Sequence, residues 1–200
     1  MNILMIDVET LGVSGVVPII QIGAVAFSDS SQSSVKFQVS IDLESQKAPI
    51  NPDTLLWHLE NNKENFTDII TGRAPIIGVT TAQNKFSLSE AFQLFTDFVW
   101  TVSGEKILIH NWEVWAKGQF DLPVLRAAAE SVGCQLPWPF RIERDLRTLQ
   151  AIVSQLVPAG DKIKWEKGIH SALDDCLAQK LNYNKAMYEL KHYIKASTEI

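Results

Sequence analysis

The stretch Ile3-Leu4-Met5-Ile6-Asp7-Val8-Glu9-Thr10-Leu11-Gly12 decides how this chain is to be read. Four apolar residues in succession predict a strand buried on both faces. That strand ends in two carboxylates, Asp7 and Glu9, with one residue between them. Side chains two positions apart leave the same face of a strand, with Cα atoms roughly 7 Å apart. Two anions projecting together from a buried strand repel each other and lose hydration. A hard divalent cation offsets both penalties, because Mg²⁺ and Mn²⁺ prefer carboxylate oxygen. Taken alone, the pair also fits a solvated strand end or a cap, so its neighbours have to decide.

Composition bounds the answer. Two hundred residues make one ordinary domain, long enough to bury a core without staples. A hydrophobic share of 46% with 20% charged residues is globular rather than disordered. No apolar run approaches the ~20 residues needed to span a bilayer. The N-terminus lacks a basic region followed by an apolar core and a cleavage site, so no secretion signal is expected. Cys134 and Cys176 are far apart and match no metal spacing, which predicts buried thiols in a reducing compartment. The expectation is a soluble cytoplasmic domain with no membrane partner. A net charge of −5 argues against a sequence-independent coater of duplexes working through a broad basic face. It leaves room for an enzyme that grips one strand end, since a carboxylate-rich site itself contributes negative charge.

Outward from the first strand, Ile19 to Phe27 reads as a second strand with small residues in its middle. After a Ser-rich turn (Ser28 to Ser34), Val35, Phe37, Val39, Ile41 and Leu43 alternate, which predicts a half-exposed third strand. Short polar joints between the three suggest an antiparallel meander. Asn51-Pro52 opens a helix, the Asn as cap and the Pro at the first helical position, followed by Leu55, Leu56, Trp57 and Leu59. Ser87 to Glu90 has the form of a capping box, with Leu88, Ala91, Phe92, Phe95 and Phe98 as the apolar stripe behind it. Ile107-Leu108-Ile109 is expected as a fourth strand. Asp121 to Val132, ended by Gly133, reads as a helix with Leu122, Leu125 and Ala128-Ala129 inward. Leu146 to Leu156 and Ala172 to Ile194 are further helices. With no repeat and no linker, this order fits an α/β layered fold with a mixed sheet.

Two later constellations bear on chemistry. In Val114-Trp115-Ala116-Lys117-Gly118-Gln119-Phe120-Asp121, a glycine-containing loop delivers Asp121 to a helix start, where it could equally be an N-cap. In His170-Ser171-Ala172-Leu173-Asp174-Asp175, five residues of helix turn about 140°, so His170 and Asp175 would not share a helix face. The easier geometry puts His170 on the loop before the helix, Ser171 at the N-cap and Asp174 in the first turn. Asp175 is then free to point elsewhere. A lone histidine is more often structural, the reading given to His58, His110 and His192.

Together these residues carry a resemblance. Asp7-x-Glu9-Thr10, Phe120-Asp121 and His170-x-Ala172-Leu173-x-Asp175 look like the three motifs of the DnaQ-like exonuclease superfamily, DEDDh subclass. Within it the chain resembles the branch of mycobacterial-type 3′–5′ exoribonucleases and phage exonuclease A. The branch-like stretches are Gln21 to Val25, Asn51 to Trp57, Pro137-Trp138-Pro139 and Arg144 to Leu149. His110-Asn111 imitates the His-Asn that precedes Phe-Asp in other DnaQ-like enzymes, but lies too far upstream of Asp121.

The resemblance implies an RNase H-like fold, a five-stranded mixed β-sheet flanked by α-helices, as a single 3′–5′ exonuclease domain over residues 1–200. It implies a phosphodiesterase that uses two divalent metal ions, Mg²⁺ or Mn²⁺. By position, Asp7 would bridge both metals. Glu9 and Asp175 would hold the metal that binds the attacking water, and Asp121 would support the second. His170 would act as general base, a task suited to imidazole because it titrates near neutrality. A loop position would let His170 swing as substrate enters. Thr10, Leu11 and Gly12 would meet the terminal nucleotide, with Leu11 as an apolar wedge. Phe120 is a candidate stacking surface for a base and equally a core aromatic. Lys162, Lys164 and Lys167, interleaved with Trp165, could follow a phosphate backbone or form a solvated loop.

The expected substrate is single-stranded nucleic acid, RNA or DNA, with a free 3′ end, hydrolysed to nucleoside 5′-monophosphates. The rival is a catalytically silent exonuclease-like module that binds nucleic-acid ends or a protein partner. Joint survival of Asp7, Glu9, Asp121, His170 and Asp175 favours the enzyme, since binding alone has no chemical need of them. A dinucleotide enzyme fails for want of a Gly-rich phosphate loop. A homodimer is possible through the Trp-rich helices.

Overall fold

The computed structural model describes residues 1–29, 33–107, 111–156 and 163–198, with side chains to residue 195. Strands β1 (Asn2–Thr10), β2 (Ile19–Ser28) and β3 (Ser34–Ser40) form the expected antiparallel meander. Strands β4 (Trp112–Ala116) and β5 (Glu143–Asp145) extend the sheet in parallel beyond β1. The resulting order, β3-β2-β1-β4-β5, makes β1 the central strand of a five-stranded mixed sheet. The helices are α1 (Pro52–Asn61), α2 (Lys63–Thr71), α3 (Leu88–Ser103), α4 (Asp121–Ser131), α5 (Leu146–Leu156) and α6 (Ala172–Thr198).

The alternation of side chains along β1 divides the core. Leu4, Ile6 and Val8 enter the larger cluster, with Phe92 and Phe95 of α3 and Leu122 and Leu125 of α4. Ile3 and Met5 enter the opposite one, with Leu146 of α5 and Leu173, Cys176 and Tyr183 of α6. Asp7 and Glu9 continue the Ile3–Met5 row, and so come out on the face that α6 covers. No described helix is long and apolar enough to cross a membrane.

The starts of α1 and α3 are built as their sequences predict. Asn51 Oδ1 accepts from the Thr54 amide at 3.0 Å. In the Ser87 capping box the Glu90 amide donates to Ser87 Oγ at 3.3 Å, and the Ser87 amide donates to Glu90 Oε2 at 2.8 Å. Past the last turn of α4, Gly133 takes φ +71°, a left-handed conformation that glycine adopts without steric cost.

Other expectations need correction. The third strand ends at Ser40, and its exposure does not alternate: Val35 and Lys36 are exposed, while Phe37 to Ser40 are buried on both faces, Gln38 under the start of α6. Leu43 belongs to a short 3₁₀ turn. Of the expected strand Ile107 to Ile109, the last two residues lie outside the described ones, as do His110 and Lys162. The strand that pairs with β1 in parallel is Trp112–Ala116, whose second half the sequence reads as loop. Strand β5 is Glu143-Arg144-Asp145, three charged residues that carry no apolar signal. Of the two thiols only Cys176 is fully buried; Cys134 is partly exposed.

Candidate active site

The position of α6 sets the site. Gly23 is the β2 partner of Asp7, and a Cβ there would run into the backbone of Ala172 and Leu173. Glycine therefore lets the start of α6 lie directly on the sheet. Two glutamines receive its free amides: Ala172 N donates to Gln21 Oε1 at 2.9 Å, and Leu173 N to Gln38 Oε1 at 3.1 Å. Ser171 holds the N-cap position, but its hydroxyl reaches Gln38 Oε1 at 3.5 Å. The helix is capped from the sheet. Asp174 is exposed in the first turn, whereas Asp175 turns back and its Oδ1 accepts from the His170 amide at 3.1 Å. A Cβ on Gly168 would collide with that carboxylate.

Asp7, Glu9, Asp121, His170 and Asp175 all line one cavity of about 720 Å³. Asp121 is the first residue of α4, one position inside the N-cap residue Phe120, and its carboxylate is met by the backbone amides of Lys117 and Asp121. Glu9, His170 and Asp175 offer ligand atoms within 4.8 Å of one another. Asp7 Oδ1 also accepts from Gln179 Nε2 of α6 at 2.7 Å.

The electrostatics follow from this crowding. Burial, then repulsion from Asp121, Glu9 and Asp175, holds the Asp7 carboxyl well above the usual carboxylate range. Burial and the Asp175 and Asp121 charges push Glu9 up to about 8. Burial pushes Asp121 up to about 7, against the opposing pull of Arg147 and the backbone amides of Lys117 and Asp121. Burial also raises Asp175, although His170 pulls it down. Such a set is poorly suited to holding four bare anions and well suited to oxygen-seeking cations, whose charge removes the mutual repulsion. The donor chemistry fits divalent metal.

Thr10, Gly12 and Phe120 line the same cavity, Phe120 with its ring partly packed on the larger core. Thr10 Oγ1 donates to the Gly12 carbonyl at 2.8 Å and shapes the turn after β1. Leu11 does not join them. It is fully buried with Ile20, Phe66 and Ile69, because a register shift between Glu9 and Thr10 breaks the alternation that would have turned it outward. Exposed apolar residues on the cavity wall are instead Val13 and Trp57.

Several lining residues carry no functional signal in the sequence. Trp57 and His58 read as helix residues, and Arg147 as part of a branch-like stretch, yet all three face the cavity. Arg147 lies against Gly118, whose φ is +92°. Asp145 Oδ1 fastens that corner by accepting from the amides of Gly118 and Arg147, at 2.8 and 2.9 Å. Gln179, buried mid-helix, carried no sequence signal. The Lys164–Gly168 segment is strapped to α6: Glu166 N donates to Asn182 Oδ1 at 2.6 Å, and Lys185 Nζ pairs with Glu166 at 2.6 Å.

A mixed sheet whose central strand presents carboxylates to a cleft, completed by acids from two flanking helices, is an RNase H-like fold and defines a nuclease-type domain. Residues 2–196 match the family described as the 3'-5' exoribonuclease Rv2179c-like domain, and the chain belongs to that family. No curated protein matches it.

Proposed function

We propose that the chain is a metal-dependent 3′–5′ exonuclease of the DEDDh type, acting on single-stranded nucleic acid with a free 3′ end and on RNA in the first place. The observation that carries the reading is the convergence of Asp7, Glu9, Asp121, His170 and Asp175 on one cavity from β1, α4 and the start of α6. Asp7, Glu9, Asp121 and Asp175 would hold two divalent cations, Mg²⁺ or Mn²⁺, which supply charge neutralisation at the phosphoryl oxygens and a water that is nucleophilic near neutral pH.

His170 would take the proton from the attacking water as its oxygen attacks phosphorus. The bond from phosphorus to the 3′ oxygen of the preceding nucleotide breaks, releasing a nucleoside 5′-monophosphate and leaving a shortened strand with a free 3′ hydroxyl. The His170 ring is within reach of the Glu9 and Asp175 oxygens, so a water between these groups would have a base beside it. Thr10 and Gly12 form the floor under the terminal nucleotide. Val13, Phe120 and the half-exposed Trp57 offer apolar surfaces for its base, a sequence-tolerant mode of binding.

The test is a time course on 5′-labelled single-stranded RNA and DNA of one sequence, with Mg²⁺, with Mn²⁺ and with chelator. The expected result is a ladder shrinking from the 3′ end, dependent on metal and lost in Asp7→Ala, with RNA degraded faster. Binding of the oligonucleotides without any shortening would instead identify a silent end-binding module.

A further inference from the structure

The loop that carries His170 is tied down from the α1–α2 side of the cleft. His170 has φ +59°, a left-handed conformation costly for a residue with a Cβ and maintained only where surroundings enforce it. Its carbonyl accepts from Asn62 Nδ2 at 2.9 Å, and the preceding carbonyl, of Ile169, accepts from Asn65 Nδ2 at 2.7 Å. The ring of Trp57 meets the His170 ring edge-on, with centroids 4.7 Å apart.

Asn62 is itself fixed. It is buried, and its second amide hydrogen points at His58 Nδ1, 3.5 Å away. His58 Nε2 lies 3.0 Å from the Thr10 carbonyl. A carbonyl only accepts, so Nε2 carries the proton and Nδ1 is the acceptor that Asn62 needs. Burial lowers the His58 pKa, which favours the neutral ring, against the Thr10 carbonyl bond that raises it. One unbroken chain of hydrogen bonds thus runs from the end of the strand bearing Glu9, through His58 and Asn62, to the backbone of His170.

We infer that Asn62, oriented by His58, is a positioning residue that holds His170 against the carboxylates of β1. The inference rests on the general-base role proposed for His170. Asn62 touches no reacting atom; it acts by removing freedom from the loop that carries the base, and misplacement of a reacting group by about 1 Å can lower a rate roughly 100-fold.

The experiment is a double-mutant cycle on kcat for single-stranded RNA with Mn²⁺, using Asn62→Ala, His170→Ala and the combination. Asn62→Ala is expected to lower kcat by about tenfold or more with KM changed less than about twofold, and to add nothing in the His170→Ala background. Losses that multiply in the double variant overturn the inference, as does an Asn62→Ala protein with wild-type kcat. If Asn62→Ala does not fold by near-UV circular dichroism, Asn65→Ala, on the exposed side of the same tether, is run through the same cycle and read by the same rule. A wild-type protein that shortens no strand overturns the nuclease reading itself. Full activity in His170→Ala overturns the general-base role.

Discussion

Gln179 and Asp7 stand 172 residues apart in sequence, yet Gln179 Nε2 donates to Asp7 Oδ1 at 2.7 Å. The amide belongs to the third turn of α6 and the carboxylate to the central strand. The bond fixes the orientation of a buried acid of the site, while Gln179 Oε1 has no partner among the described residues. A buried amide that satisfies only its donor is an expense for the fold, which is consistent with its serving Asp7. Groups that orient metal ligands in this way typically govern affinity by 10- to 100-fold. Gln179→Leu is therefore expected to weaken Mn²⁺ binding at least about tenfold while leaving the melting temperature near that of the wild type. Titration calorimetry with Mn²⁺ checks it, and an unchanged affinity would reduce Gln179 to a packing residue.

The raised carboxyls predict a pH dependence with a definite sign. In the metal-free protein Glu9 titrates at about 8 rather than 4.5, and Asp121 at about 7 rather than 3.8. Between each ordinary value and its raised one, the folded state holds a proton that the unfolded chain has released. Stability is then fully present at low pH and lost as pH rises through the folded values. Thermal unfolding with chelator should show the melting temperature falling from about pH 5 to about pH 8, and Mg²⁺ or Mn²⁺ should flatten that fall. Metal binding at neutral pH should release protons, visible as heats that differ between buffers of different ionisation enthalpy. A metal-free melting temperature constant across the window would contradict the raised values.

Gly23 is the hinge of the architecture. Its missing side chain leaves room for the backbone of Ala172 and Leu173, and neither strand nor helix backbone can retreat without breaking the sheet or the Gln21 and Gln38 caps. Gly23→Ala should destabilise by about 1–3 kcal/mol, the usual penalty for overpacking, and should lower activity more than stability, since it shifts His170 and Asp175 together. Chemical denaturation and the labelled-strand time course, run on the same preparation, separate the two effects.

What could be read in the sequence follows from how locally each feature is encoded. The three-strand meander, the Asn51 and Ser87 caps, and the runs of α4, α5 and α6 all rest on periodicity and cap residues within a few positions. Asp7 and Glu9 were legible because strand geometry alone puts them on one face. Strand β5 was not, since a short, charged strand is made by its neighbours rather than by its own residues. The burial of Leu11 depends on a register shift in β1 that pairing with β2 creates. Trp57 and His58 of α1, Asn62 at the α1–α2 junction and Gln179 of α6 lie in segments that would look the same if they faced water, and only tertiary packing tells which way each points.

The lysines before His170 make the last prediction. Lys164 and Lys167 are exposed, on a segment that the Glu166–Asn182 and Glu166–Lys185 bonds hold beside the cleft. The chain carries a net charge of −5, and the cleft adds carboxylates that repel a polyanion, so the attraction needed to draw in a strand has to come from local cations. Each phosphate contact on a single strand contributes roughly 0.7 to the slope of log affinity against log salt. Replacing Lys162, Lys164 and Lys167 by Ala should weaken binding of a single-stranded RNA by Asp7→Ala protein and flatten that slope by up to about 2. Fluorescence anisotropy at several salt concentrations measures both. An unchanged slope would assign these lysines to solvent and leave Lys117 and Arg147, on the cavity wall, as the cations that meet the phosphate chain.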